Sequence, residues 1–173
     1  MDAALATLVV GIAGVGGTVA SGYLAQRAAR QTLRWEGVRQ QHDNLRNCYI
    51  GLNGGARSCR YALADYVQAL ATGTLTDEIR ERASTAVNAH RGQYDEAQIL
   101  VSDAVLAEAR IVNDKLSVLY GMLRRLDDGV PQPDDTIEQA RRQLKDLWPH
   151  LMSLREAMRA DLGVGDTHKR INH

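Results

Sequence analysis

The stretch from Ala3 to Ala25 reads AALATLVVGIAGVGGTVASGYLA and contains no charged side chain. Asp2 is the only charged residue before Arg27. A helix needs about 20 consecutive apolar residues to cross a bilayer, and this stretch has that length. We therefore expect residues 1–26 to form a transmembrane signal anchor.

The charges that follow the stretch predict its orientation. Arg27, Arg30 and Arg34 come after the apolar residues, whereas a cleaved signal peptide carries its basic residues before them. Basic residues beside a span stay on the cytoplasmic side and attract anionic headgroups. We predict an uncleaved anchor in a bacterial inner membrane, with membrane lipid as a partner, the N-terminus outside and the C-terminal domain in the cytoplasm.

Two other interpretations of this stretch were weighed. A dinucleotide-binding loop would need a third glycine where Val19 stands, and no βαβ pattern follows. A helix buried inside a soluble oligomer is the more serious rival, because glycines also suit a tightly packed helix seam. That second interpretation stays open at the level of sequence.

Small residues recur along the predicted span at alternating steps of four and three. A face of this kind lets helix backbones approach closely within a membrane. We expect homo-oligomers that form through this face. A second row of small residues runs through Gly17. The predicted association residues are Thr7, Gly11, Gly14, Gly17, Thr18, Ser21 and Ala25.

The remaining chain is patterned as helix. Good helix formers dominate it, and runs of alternating β-branched residues are missing. An apolar stripe keeps one helical register from Leu24 through His42 and Tyr49 to Leu70. Because the register is the same on both sides of Asn53-Gly54-Gly55, we predict one helix over about 3–71, weakened or bent at these glycines.

Three further helices are expected. Thr76 is predicted to cap the second and Ser102 the third, although those two helices could be one bent helix. Asp134 or Asp135 is predicted to cap the last, and Pro149 to kink it. The predicted fold is all-α: a long N-terminal helix whose first third is transmembrane, continuing into an antiparallel bundle of about four helices over 27–162. Residues 163–173 are predicted to be a disordered tail.

Composition and side-chain spacing offer little chemistry. The 21 basic and 21 acidic side chains balance, which argues against a nucleic-acid partner. Cys48 and Cys59 share a helix face three turns apart; we expect reduced buried thiols, with an intersubunit disulfide as the alternative. His42 lies on the apolar stripe and is expected in a core or an interface.

No catalytic or metal-binding motif stands out. The five histidines form no H-E-x-x-H or Cys/His cluster, and no serine has a G-x-S-x-G context. Asp95 and Glu96 are adjacent on a helix and therefore diverge. We predict no catalytic residue, no metal and no cofactor, and a protein that is not an enzyme.

The stretches VSDAVLAEARIVNDKL at 101–116 and LREAMRADLG at 154–163 resemble a broad group of small bacterial single-pass membrane proteins. This resemblance implies an N-terminal glycine-rich span and a cytoplasmic helical domain, and no activity. Together these features predict a non-catalytic, membrane-anchored scaffold or interaction subunit that docks a cytoplasmic protein partner. The alternatives are a pore-forming or membrane-disrupting effector and a soluble helical protein that oligomerises through its N-terminal helix.

Overall fold

The computed structural model describes the backbone of residues 3–164 and the side chains of residues 39–164. This part of the chain contains four helices and no strand: α1 (Ala3–Thr72), α2 (Asp77–Leu100), α3 (Asp103–Asp127) and α4 (Ile137–Asp161). The prediction of an all-α fold is confirmed. Within the residues whose side chains are described, no helical segment is both long enough and apolar enough to cross a membrane.

The chain divides into two compact units, Met1–Asn44 and Leu45–His173. The predicted anchor at 1–26, its association residues and Arg27, Arg30 and Arg34 lie outside the described side chains, as do residues 165–173 of the predicted tail. Side chains 39–44 are exposed. His42 is among them, so the prediction of a core position for His42 is wrong; an interface position stays a prediction.

The second unit is an antiparallel four-helix bundle. Its part of α1 buries the predicted stripe, from Tyr49 and Leu52 through Cys59 to Leu63 and Tyr66. The other helices complete the core with apolar side chains at helical spacing: Ala83, Val87, Ala97, Val105, Ala109, Val112, Leu116, Leu119, Met122, Leu123, Ala140, Leu147, Leu151, Leu154 and Met158. Burial of this apolar surface is what holds the four helices together.

Helix α1 continues without a break through Asn53-Gly54-Gly55, as the register predicted. A side chain of α2 explains why position 55 is a glycine. The Gln93 carboxamide packs against Gly55, and a Cβ at that position would overlap it. The glycines that resembled a turn signal therefore belong to a helix–helix contact, at least at Gly55.

The helix ends follow local chemistry. Gly73 ends α1 with φ +66°, and the Thr76 side chain accepts from the Ile79 N–H to cap α2. The break at Ser102 separates two helices, although the Ser102 side chain makes no capping hydrogen bond. Pro149 lies inside a continuous α4.

Three sequence predictions in the bundle are wrong. Thr136, not Asp134 or Asp135, caps α4 by accepting from the Gln139 N–H. The Asp135 carboxylate instead accepts hydrogen bonds from the Arg125 side chain and from the backbone N–H of Gln132. The apolar spacing of α2 and α3 also predicts inner positions for Leu100 and Ile111. They are 44% and 39% exposed, because each lies at the edge of its helix's apolar stripe.

Candidate functional site

The middle of the bundle contains one buried histidine. His90 on α2 is 2% exposed, and neither ring nitrogen has a hydrogen-bond partner among the described protein groups. Burial lowers the pKa of His90 to about 4, with a smaller contribution from the positive charge of Arg91. The imidazole is therefore neutral at neutral pH. The helical spacing of His90 with Ala83 and Ala97 predicts an inner position for it on α2, and its burial confirms that prediction.

The two cysteines are free and buried, as predicted. Cys59 is completely buried and Cys48 is 6% exposed. Burial raises the pKa of both thiols, that of Cys59 to about 12. The thiolate is the reactive form of cysteine, and a raised pKa keeps both side chains as thiols. The two cysteines therefore pack as small, unreactive apolar groups.

A polar cluster joins three helices at the end of the bundle where α1 leads into α2. The Tyr66 hydroxyl donates to Asp127 at 2.7 Å, and Arg80 donates two hydrogen bonds to the same carboxylate at 2.8 and 2.9 Å. Arg80 and Tyr66 hold the pKa of Asp127 below its usual value, whereas burial raises that of Tyr66. This cluster ties α1, α2 and α3 together.

A simpler contact lies at the opposite end of the bundle. The Tyr49 hydroxyl donates to Asp161, the last residue of α4, and so ties α4 to α1. Between these ends, Arg60 of α1 stacks over Tyr61 and over Trp148 of α4, with its guanidinium carbon 4.9 and 5.3 Å from the ring centroids. Tyr61 and Trp148 are about half exposed.

An open groove of about 340 Å³ lies between α3 and α4. Its walls carry two carboxylates, one ammonium group and two carboxamides, from Asp114, Lys115, Val118, Gln139, Gln143 and Asp146. The described residues contain no group of three or more side chains that could hold a metal ion. The groove has the shape and lining of a solvated seam, with no nucleophile paired to a base.

The described contacts thus link the four helices of the bundle to one another. Sequence reasoning found the buried helix faces but missed the Tyr66–Asp127–Arg80 cluster. The turn residues DDGVPQP at 127–133 predict a loop that includes Asp127, where an aspartate ordinarily faces water. A tyrosine on a core stripe was the available signal, since a buried phenol requires a hydrogen-bond partner. The predicted association residues and juxtamembrane arginines lie outside the part of the chain whose side chains are described.

Comparison with known proteins does not add to this geometry. The chain matches no protein-family model, no curated protein and no solved structure. The resemblance to small single-pass proteins accordingly stays a prediction.

Proposed function

We propose that this chain is a non-catalytic, membrane-anchored helical scaffold or interaction subunit that self-associates through its N-terminal helix. One observation carries the proposal: an uncharged stretch of about one membrane thickness precedes three arginines and then a bundle with its own core. The described core draws its residues from the range 48–158.

Carbonate extraction of membranes from cells that express the full chain tests the anchor. We expect the wild-type chain to stay in the pellet. The double variant Val9→Asp/Val15→Arg should be extracted, because each charge at the centre of a span costs roughly 2.5–3.5 kcal/mol. Val118→Asp is the matched control, since Val118 is 57% exposed on the bundle. Extraction of the wild-type chain by carbonate would refute the anchor.

Orientation is tested with single engineered thiols, because native Cys48 and Cys59 are buried. In intact spheroplasts a membrane-impermeant maleimide should label Asp2→Cys, whereas Thr167→Cys should react only after lysis. Labelling of Thr167→Cys in intact spheroplasts would contradict the proposed orientation.

A pore-forming effector is the second candidate, favoured by five glycines and two threonines within the uncharged stretch. Substituting Gly14→Leu or Gly17→Leu should weaken self-association in either case, with Val15→Leu as the control on the bulky face. Dye leakage from cells or vesicles that the wild-type chain causes and these variants abolish would favour the pore over the scaffold.

A further inference from the structure

Helix α2 presents a solvent-exposed face that is acidic at both ends. At about 100° per residue, five exposed carboxylates fall within about 60° of the direction of Glu81, and no basic residue of α2 does. Asp77 and Glu78 contact Arg80 and Arg82 at the flanks but keep fully or largely exposed side chains. The middle of the face is small and uncharged, at Thr85, Asn88 and Gly92. We call this surface the acidic face; its carboxylates are Asp77, Glu78, Glu81, Asp95 and Glu96.

Helix α4 presents the opposite pattern. Four exposed basic residues fall within about 60° of the direction of Trp148, and no acidic residue of α4 does. None of the four forms an ion pair with another described residue. Trp148 and Met152 occupy the middle of the surface. We call it the basic face; its charged residues are Arg141, Lys145, Arg155 and Arg159.

The two faces lie on different sides of the bundle, on helices that are diagonal to each other. Helix α2 contacts α1 through Arg82 and Asp65, and α3 through Arg80 and Asp127. Helix α4 contacts α1 through Asp161 and Tyr49, and it packs along α3. Each of α2 and α4 therefore borders α1 and α3, which places them diagonally. The acidic face points directly away from the buried residues of α2. The basic face lies about 90° around α4 from its buried residues, on the flank where Trp148 meets Arg60 of α1.

The charges on the two faces match in spacing. Arg141, Lys145 and Arg159 follow Asp77, Glu81 and Asp95 by the same number of residues, 64, in each pair. The same offset puts bulky Trp148 opposite Ser84 and puts Met152 opposite Asn88. Helices α2 and α4 also run in the same direction in an antiparallel four-helix bundle, so two copies placed side by side present these residues in parallel. The same offset brings Arg91, at the edge of the acidic face, near Arg155. These two positive charges repel each other and oppose the contact.

The heights of the two faces within one copy differ by about one helical turn. The contacts Asp65–Arg82 and Gly55–Gln93 place Arg60 of α1 level with residues 87–88 of α2. Arg60 stacks on Trp148, so Trp148 is level with the same residues. Bringing Trp148 opposite Ser84 therefore needs an axial shift of about 5 Å between neighbouring copies.

We propose that the occupant of each face is a second copy of this chain: the basic face of one copy packs on the acidic face of the next. Because the two faces differ, the contact is head-to-tail. The axial shift of about 5 Å at each contact keeps it from closing into a ring, so copies add in an open row. The contact is about 27 Å long and one helix wide, which makes it weak. It rests on the bundle alone and not on where the N-terminal stretch lies.

Cysteine cross-linking of the full chain tests the row. Asn88 and Met152 face each other across the proposed contact, so the double variant Asn88→Cys/Met152→Cys should give a ladder of dimers, trimers and longer products under a short bis-maleimide. Asn88→Cys alone or Met152→Cys alone should give no ladder, and their mixture should give dimers. Cross-linking of either single variant to itself, or no ladder from the double variant, would overturn the proposal.

Charge reversal provides the decisive comparison. In the double-cysteine background, Arg141→Glu/Lys145→Glu/Arg159→Glu makes both faces acidic, and Asp77→Lys/Glu81→Lys/Asp95→Lys makes both basic. Each variant alone should lose the ladder at least tenfold, and mixing the two should restore it. Restoration also shows that both variants fold. A ladder that persists in either variant alone, or that fails to return when folded variants are mixed, would overturn the proposal.

Two milder changes keep the test valid if a triple variant does not fold. Raising the salt from 50 to 500 mM should reduce cross-linking severalfold, because the contact is made by exposed charges. Arg91→Gln should increase it by removing the like charge. Cross-linking that is insensitive to both changes would overturn the proposal. Carbonate extraction does not depend on these residues, so the anchor and the row fail separately.

Discussion

The two ends of the bundle are tied by the same pair of residue types in different surroundings. At each end a tyrosine of α1, buried to 3% or less exposure, donates its hydroxyl to an aspartate at the last residue of another helix. Asp127 of α3 also accepts two hydrogen bonds from Arg80. For Asp161 of α4 the described residues supply Tyr49 alone.

The difference shows what a carboxylate at a helix C-terminus needs. The negative end of the helix dipole disfavours an aspartate there, so an additional cation is valuable. Arg80 supplies a two-pronged partner for Asp127, whose side chain is 10% exposed, and the pKa of Asp127 falls below its usual value. Asp161 is exposed and can exchange its tyrosine for water. The end with Tyr66 should therefore carry more of the stability.

The largest expected effect comes from Asp127→Asn. This change leaves Arg80 and Tyr66 with a weaker acceptor, and we expect a loss of about 3 kcal/mol in the free energy of unfolding. The matched variant Asp161→Asn should lose about 1 kcal/mol or less. Urea unfolding at pH 7 measures both. Equal losses at the two ends would contradict the comparison.

The second largest effect is a loss of stability at low pH caused by His90, which is buried between the two ends of the bundle. The folded pKa of about 4 lies below the unfolded value of about 6.5, so the folded state is penalised as pH falls from 6.5 towards 4 and unaffected above 6.5. At pH 4.5 this penalty is about 2.5 kcal/mol. Between pH 7 and pH 4.5, wild type should therefore lose about that much stability relative to His90→Leu. If the free energy of unfolding changes equally with pH in wild type and His90→Leu, the prediction is refuted.

Much of the bundle was predictable because burial in helices leaves a period that the sequence displays. The stripe from Tyr49 to Tyr66 kept its register across Asn53-Gly54-Gly55, and the helix is continuous there. Leu100 and Ile111 show the limit, because a residue at the edge of a stripe is buried or exposed according to how its neighbouring helix is rotated. A single helix's periodicity does not contain that rotation.

The contacts that close the bundle were less predictable. Asp127 and Asp135 stand near a loop, where aspartates ordinarily cap helices or face water. Each is instead paired with an arginine, Arg80 or Arg125, whose position depends on how other segments of the chain pack. The 64-residue match between α2 and α4 was visible in the sequence. What the sequence did not contain is that the bundle leaves both faces exposed on different, parallel helices.

A smaller effect is expected from Tyr66→Phe. The phenol loses its hydrogen bond to Asp127, but Arg80 still satisfies the carboxylate, so we expect a loss of about 1.5 kcal/mol. In an Arg80→Gln background the loss should change by at least about 0.5 kcal/mol, because residues within one hydrogen-bond network are energetically coupled. A double-mutant cycle by urea unfolding measures this coupling. Strict additivity would show that Tyr66 and Arg80 act on Asp127 independently.

The smallest effect is expected from Tyr49→Phe. Its hydroxyl gives Asp161 one hydrogen bond, and the exposed carboxylate can replace it with water. The ring stays buried in the substituted protein, so the loss is the net value of one hydrogen bond, about 0.5–1 kcal/mol. Combining Tyr49→Phe with Arg80→Gln should give an additive loss, because the two sites lie at opposite ends of the bundle. If Tyr49→Phe costs as much as Tyr66→Phe, Asp161 is as tightly held as Asp127 and the ends are equivalent.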